Sequence, residues 1–195
     1  MARYASKSWR NFQPHRGTSR PSTPISLQIQ DCRVLGLDPG SLRTGFGVID
    51  CQAGVERHVV SGCIDVAGQD MVVRLQKIYR AVATLVAEHR PDVVAIERVF
   101  VHRNPDSALK LGQARGVALC AGASAGASVY EYAPRAIKMA ITGYGAAAKP
   151  QVAQMVRNLL LLEAALAADA ADALAVALCH SQTRRLGTLI NADVA

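Results

Sequence analysis

Several features of common protein classes are absent from this sequence. No apolar run reaches the roughly 20 residues that a transmembrane helix needs, and no secretory signal pattern opens the chain. The five cysteines are scattered, no two have CxxC spacing, and their odd number argues against a disulfide framework. We therefore expect a soluble protein of a reducing cytoplasm, with no contact to a membrane.

Acidic residues are absent from the first 30 positions, and this makes the charge distribution uneven. The net charge is +7, but residues 1–30 contribute five basic side chains and no acid. The rest of the chain has 17 basic and 15 acidic residues, a net charge of +2. Such a total is weak evidence for nucleic-acid binding, because clustering on one surface matters more than the sum.

Residues 1–31 are interpreted as a disordered, basic N-terminal arm, because Ser, Thr, Pro and Arg dominate and no hydrophobic period is present. Three origins stay open: a start codon assigned too early, a tail that contacts phosphate, and a transit peptide. The first is favoured, since a chain that starts near Cys32 would begin directly with a strand. One domain is expected over 32–184, followed by a C-terminal tail over 185–195.

Hydrophobic periodicity predicts strands and helices in a definite order. The first three strands have short polar connections, which are typical of an antiparallel meander. The fourth is a short apolar run, suited to a buried parallel position. The predicted strands are 33–38, 46–50, 58–66, 92–97 and 128–132; the predicted helices are 70–90 with Asp70 as N-cap, 105–121, one that starts at Pro134, 150–163 and about 168–183.

This order predicts an α/β domain with a mixed, five-stranded sheet. Three antiparallel strands followed by right-handed βα crossovers give a sheet with helices on both faces. The first strand is then central, and the strand at 92–97 pairs parallel to it. Asp38 and Glu97 close these two strands, so we expect them side by side at the edge where open α/β sheets bind ligands.

Two further acids, Asp169 and Asp172, lie in the alanine- and leucine-rich segment AADAADALAVALCH. Three residues apart in a helix, they share a face that is otherwise apolar and points inward. Ordinary structural explanations exist: Asp169 suits an N-cap, Asp172 suits a first turn, and Asp38 belongs to an Asp-Pro-Gly turn. Glu97 is harder to explain in this way, because it ends an apolar strand.

Four converging carboxylates would require a cation. Carboxylates a few ångströms apart repel one another, and some would otherwise stay protonated at neutral pH. Ligand sets made only of oxygen select Mg²⁺ or Mn²⁺ over zinc. Two such ions about 3.5–4 Å apart can hold both the attacking water and the leaving oxygen of a phosphodiester. The four acids are therefore candidate catalytic residues and metal ligands.

Several motifs at consistent spacing resemble the RuvC family of crossover junction endodeoxyribonucleases. The motifs are VLGLDPGSLRTGFGVID, AIERVF, NPDSALKLGQARGVA, GYGAAAKPQV and DAADALAVALCH, and they run in order from about Arg33 to His180. The resemblance implies a ribonuclease H-like fold, with catalytic acids at Asp38, Glu97, Asp169 and Asp172. Some members have His at the position of Asp169, and LLEAALAA before it departs from the proline-bearing connection of many members.

The resemblance also implies a homodimer that resolves Holliday junctions, which are four-way DNA junctions, by paired nicks. It implies two Mg²⁺ ions per active site, with Mn²⁺ as a substitute, and the RuvA and RuvB branch-migration proteins as partners. Phe100 resembles a residue that wedges against bases at the strand exchange point, and Lys138 and Lys149 match lysines that contact phosphate. Arg103 and Arg115 are further candidates for phosphate contact, although each is as easily a solvated charge.

Two other functions stay open at this point. An actin-like or sugar-kinase ATPase shares the fold and a phosphate-binding turn after the first strand. It would need a second phosphate loop and an adenosine motif, and neither is found in the sequence. A protein that binds junctions without cutting them would result if the helix with the two late acids were displaced. ATP binding by calorimetry and nicking of a synthetic junction distinguish the three functions.

Overall fold

The computed structural model describes residues 30–98, 105–124 and 126–192, with side chains described as far as residue 187. Within these ranges the elements are β1 (Cys32–Pro39), β2 (Arg43–Gln52), β3 (Val55–Asp65), α1 (Met71–His89), β4 (Val93–Glu97), α2 (Pro105–Ala123), β5 (Ser128–Tyr132), α3 (Pro134–Thr142), α4 (Lys149–Leu159) and α5 (Ala168–Ala192). The type and order of the predicted elements are confirmed. Most of the predicted N-terminal arm lies outside the described residues.

The five strands form one mixed sheet in the order β3-β2-β1-β4-β5. β1 pairs antiparallel with β2 and parallel with β4, while β5 extends the parallel part beyond β4. The central position of β1 is therefore confirmed. This arrangement brings the carboxyl ends of β1, β4 and β5 to the same edge of the sheet.

Helices cover both faces of the sheet. Leu35, Leu37 and Ile96 are buried with residues of α1 and α2 on one face. Val34, Ala95 and residues of α3, α4 and α5 form the core on the other face. Because β1 and β4 are covered on both sides, their sequences are nearly continuous apolar runs rather than alternating ones.

The part of α5 from Ala170 to Ser181 is buried on almost all sides. Every residue from Ala170 to Ser181 is buried except Asp172. A helix that is apolar all round belongs in the interior of a domain, and the many alanines allow neighbouring elements to approach it closely. An acid on this helix therefore lies at the boundary between the core and the edge of the sheet.

Glycines in β1 and β2 allow α5 to lie directly on the sheet. A Cβ atom at Gly36 would overlap the carbonyl oxygen of Ala173, and one at Gly45 would overlap the carbonyl oxygen of Asp169. Any side chain at these positions would force the helix away from the strands. The glycines thus set the distance between the strand ends and the acids of α5.

Two helices end several residues away from the predicted position. α5 continues to Ala192 rather than ending near 183, so most of the predicted C-terminal tail is helical. Good helix formers outnumber the single glycine there, which costs only about 1 kcal/mol. α4 ends at Leu159 rather than 163, because Leu161 adopts a left-handed conformation with φ of 52°. Asp70 is the N-cap of α1, but its side chain makes no capping hydrogen bond.

No helix within the described ranges combines the length and the apolar character needed to cross a membrane.

Candidate active site

Asp38 and Glu97 lie together at the carboxyl edge of the sheet. The parallel pairing of β1 and β4 runs up to Leu37 opposite Ile96, and the next residue on each strand is an acid. The two side chains lie close enough for each to shift the pKa of the other. The proximity expected from the strand order is thus observed.

Asp172 reaches the same place from α5. A pocket of about 100 Å³ lies between the strand ends and helices α3, α4 and α5. Its lining consists of Asp38, Glu97, Pro134, Ile137, Lys138, Lys149, Val152, Asp172 and Ala175. Three of the four acids predicted from the sequence therefore share one pocket with two lysines.

Asp169 lies one turn earlier on α5 and outside the lining of this pocket. Its Oδ2 accepts a hydrogen bond from Sγ of Cys63, at 3.5 Å, and its charge still raises the pKa of Asp38. It is not the N-cap, since α5 begins at Ala168 and Asp169 belongs to its first turn. The structure therefore places the fourth acid at the margin of the site, within electrostatic range.

Nothing in the sequence pointed to Cys63 as a neighbour of Asp169. The two residues are 106 positions apart, and Cys63 lies on β3, two strands away from Asp38. Only the close approach of α5 to the sheet brings the thiol to the carboxylate. Local sequence patterns carry no signal for such a contact.

Of the five residues predicted to contact DNA, two line the pocket, one lies outside it, and two fall outside the described residues. Lys149, at the start of α4, places its Nζ 2.6 Å from Oδ2 of Asp172, and Lys138 on α3 contributes to the same lining. Phe100 and Arg103 lie outside the described residues. Arg115 does not line the pocket; it forms an ion pair with Glu131.

The carboxylates of the pocket carry more negative charge than their surroundings balance. Burial raises the pKa of Asp38 to about 6, and the nearby charge of Asp172 adds to the shift. Burial also raises the pKa of Glu97 to about 7, with Asp38 and Asp172 as further causes. The hydrogen bond to Asp172 raises the pKa of Lys149. Full ionisation at neutral pH therefore requires additional positive charge in the pocket.

The carboxylate oxygens of the pocket suit a hard divalent cation, although the side chains are not yet arranged around a single metal position. Among the described residues, no three side chains of His, Cys, Asp and Glu are already grouped to hold a metal ion. Asp172 is engaged with Lys149 and Asp169 with Cys63. Carboxylate oxygens are nevertheless the ligands that Mg²⁺ and Mn²⁺ prefer. Metal binding would require Asp172 to exchange the Lys149 ammonium for the cation.

A larger cavity, of about 700 Å³, lies at the opposite end of the sheet, where β1 and β4 begin. Several polar groups of this cavity form hydrogen bonds or ion pairs with one another. Arg33 forms an ion pair with Asp50 at 2.6 Å and donates to the carbonyl oxygen of His89. Its main-chain nitrogen also donates to Asp92. These contacts connect strands and helix, so we interpret this region as structural.

Comparison with known proteins identifies the family. A family model described as crossover junction endodeoxyribonuclease RuvC matches residues 34–180. The RuvC protein of Alkalilimnicola ehrlichii is 55% identical over 148 residues, which cover 76% of this chain and 90% of that protein. The solved structure of Thermus thermophilus RuvC is similar with a TM-score of 0.73 at 37% identity, covering 80% of this chain and 97% of the other.

A second structure of the Thermus thermophilus protein, in complex with a Holliday junction substrate, has a TM-score of 0.75 to this chain. The agreement covers 80% of this chain and 97% of the other, and it confirms the ribonuclease H-like fold. The chain belongs to the RuvC family of crossover junction endodeoxyribonucleases.

Proposed function

We propose that this protein is a Holliday junction resolvase that cuts two strands of a four-way junction by paired, symmetric nicks. The observation that carries the proposal is the meeting of Asp38, Glu97 and Asp172, from three separate elements, in one pocket with Lys138 and Lys149. Membership of the RuvC family supports it, as does the likeness to a relative solved with a Holliday junction substrate. The proposed role lies in recombination and DNA repair.

The metal-binding part of the proposal rests on the chemistry of the donors. Asp38, Glu97 and Asp172 would hold divalent cations, with Asp169 joining from the margin; we propose two Mg²⁺ ions per site, with Mn²⁺ as a substitute. When bound, such ions supply an activated water and stabilise the leaving oxygen of the phosphodiester. Asp38 would be the central residue of this set, because its carboxyl lies near Glu97 and within electrostatic range of both other acids.

The chain's own cationic groups would bind the DNA backbone beside these acids. Lys138 and Lys149 lie on the rim of the pocket, where a phosphate could replace Asp172 as the partner of Lys149. Phosphate contacts of this kind fix the register of a protein on DNA without reading its sequence. Phe100 and Arg103 remain predicted DNA-binding residues.

The assembly is also part of the proposal. A homodimer would place two such pockets about a two-fold axis, which matches the pseudo-two-fold symmetry of a four-way junction. We further propose that the protein acts in the cytoplasm with RuvA and RuvB, as the family resemblance implies. The ATPase alternative is not favoured by the family and structural matches. A protein that only binds junctions would have no need to bury mutually repelling carboxylates.

A synthetic four-way junction tests the function directly. The wild-type protein, incubated with the junction and Mg²⁺, should produce paired nicks, whereas Asp38→Asn should leave the junction intact. Asp31→Asn is a matched control, because Asp31 lies at the other end of β1 and accepts a hydrogen bond from the main chain of Ala53. Equal cutting by wild type and Asp38→Asn would contradict the assigned site.

A further inference from the structure

Arg115 was a candidate for phosphate contact or a solvated charge, and the structure shows that it is not simply a solvated charge. It lies on α2, and its side chain is only 20% exposed. Its Nη2 lies 2.8 Å from Oε2 of Glu131, and its Nε donates to the main-chain carbonyl oxygen of Glu97 at 3.3 Å. The guanidinium is therefore occupied by two partners inside the protein, one of which is the backbone of a proposed metal ligand.

The register of the sheet places Arg115 on the face opposite to the pocket. β4 and β5 pair with Ile96 opposite Glu131 and Glu97 opposite Tyr132. Successive side chains of a strand point to opposite faces, so Glu131 lies with Ile96 on the side of α1 and α2. The side chain of Glu97 points to the other side, toward α3, α4 and α5. Arg115 can thus hold the main chain of Glu97 without entering the pocket.

Glu131 connects a second arginine to the same strand end. Its Oε2 lies 3.6 Å from Nε of Arg98, the residue after Glu97. The main-chain nitrogen of Arg98 donates to the carbonyl oxygen of Tyr132, at 2.7 Å. We refer to Arg98, Arg115 and Glu131 as the arginine clamp. The clamp ties the end of β4 to β5 and to α2.

We propose that Arg115, acting through the arginine clamp, is a positioning residue that holds Glu97 in place against Asp38 and Asp172. Glu97 is the last residue of β4, so beyond it the main chain is held by the clamp rather than by further strand pairs, while the charges of Asp38 and Asp172 act against its ionised carboxylate. The inference rests on the proposed function, because the position of Glu97 matters for cleavage only if it is a metal ligand. Arg115 itself does not contact the reacting atoms.

The geometry requires a guanidinium rather than any positive charge. Arginine presents several N–H donors in a rigid fork, whereas lysine offers one flexible ammonium. Arg115→Lys therefore keeps the charge but cannot reach Glu131 and the carbonyl oxygen of Glu97 in the same way. Glu131→Gln removes the charge that both arginines share and should act in the same direction.

The test compares Arg115→Lys, Arg115→Gln and Glu131→Gln with wild type in the full chain. Single-turnover nicking of a four-way junction should fall by roughly 10- to 100-fold, the usual effect of removing a group that orients a metal ligand. Calorimetry should show weaker Mn²⁺ binding to the junction-free protein. Junction affinity measured in a chelator should stay within about two-fold of wild type, with an unchanged salt dependence.

Lys110→Gln is the matched control, because it breaks an ion pair on the same helix, with Asp106 at 2.5 Å, that does not touch β4. A loss confined to junction affinity, with a salt slope smaller by about one, would make Arg115 a phosphate contact and overturn the proposal. The proposal would also be overturned if all three variants nicked junctions and bound Mn²⁺ as wild type does. An equal loss of nicking and Mn²⁺ binding in Lys110→Gln would overturn it as well.

Circular dichroism establishes that each variant is folded, and if Arg115→Gln does not fold, the other two variants carry the test. The proposed function and this inference fail separately. If wild-type protein does not nick the junction, the proposed function is wrong, and Mn²⁺ calorimetry still decides whether the clamp positions Glu97.

Discussion

At the scale of the residue, the buried carboxyl of Asp38 has a consequence for stability. Its pKa in the folded protein is about 6, mainly because of burial, whereas an unfolded chain has a value of about 3.9. The folded state therefore binds more protons between these two values. The free energy of unfolding therefore falls as the pH rises through this window. The full destabilisation by the buried charge is present above the pKa that Asp38 has in the folded protein.

We accordingly expect Asp38→Asn to be more stable than wild type at pH 8 in a chelator. An amide removes the buried charge, and the melting temperature should rise by roughly 2–8 °C, as one to two kcal/mol gives in a domain of this size. Scanning calorimetry at pH 8 and at pH 4 measures the effect. The difference should shrink at pH 4, and a constant difference would contradict the assigned cause.

Removing the ion pair between Lys149 and Asp172 should raise the affinity for Mn²⁺ and lower the rate of junction nicking. The ammonium lies 2.6 Å from the carboxylate, with the lysine side chain 75% exposed, so it competes with any cation for Asp172. Lys149→Met should strengthen Mn²⁺ binding to the DNA-free protein by about 2- to 5-fold, because an exposed ion pair is worth at most about 1 kcal/mol. The same variant should nick junctions more slowly.

Calorimetry and a single-turnover assay measure these two effects. Lys138→Met is the control: Lys138 lines the same pocket from α3, and its removal should leave Mn²⁺ affinity unchanged. Weaker Mn²⁺ binding by Lys149→Met would show that the lysine helps the site to form rather than competing for it.

At the scale of the element, the contact of α5 with the glycines of the sheet controls both stability and the site. Gly36→Ala would push a methyl group into the main chain of Ala173 and Ala177. Overpacking of this kind typically costs about 1–3 kcal/mol. We expect the midpoint of urea unfolding to fall and nicking to be lost, since the acids of α5 move with the helix.

Gly112→Ala is the matched substitution for this experiment. Gly112 lies in α2, and a Cβ there would meet no atom within 4 Å, so alanine should stabilise the helix by up to about 1 kcal/mol. We expect the midpoint of urea unfolding to fall for Gly36→Ala and to rise for Gly112→Ala. A neutral Gly36→Ala would mean that α5 does not lie on the sheet as described.

The elements also explain which parts of the structure could be predicted from the sequence. Strand periodicity, together with the rule for βα crossovers, was sufficient to place Asp38 beside Glu97. The predicted end of α4 was wrong, because the run of leucines after it favours a helix. Leu161 instead adopts a positive φ, which turns the chain and ends the helix. The contacts of Asp169 with Cys63 and of Arg115 with Glu131 depend on tertiary packing, which no local pattern records.

At the scale of the whole molecule, the charge distribution predicts how the protein responds to salt. The net charge of +7 includes a contribution of +5 from residues 1–30. Junction binding by Asp38→Asn should weaken by more than about ten-fold between 50 and 200 mM salt, because phosphate contacts release counterions. Fluorescence anisotropy with a labelled junction measures this, and salt-independent binding would argue against a phosphate-binding surface.

The burial of α5 between Ala170 and Ser181 affects how an inactive version of this protein should be engineered. A substitution on that helix risks disturbing the interior together with the chemistry, since only Asp172 among residues 170–181 is not buried. Exchanging a carboxyl for an amide at the tip of β1 changes charge while leaving shape nearly the same. A reagent meant to capture branched DNA without cutting it is therefore better built from Asp38 than from any position on α5.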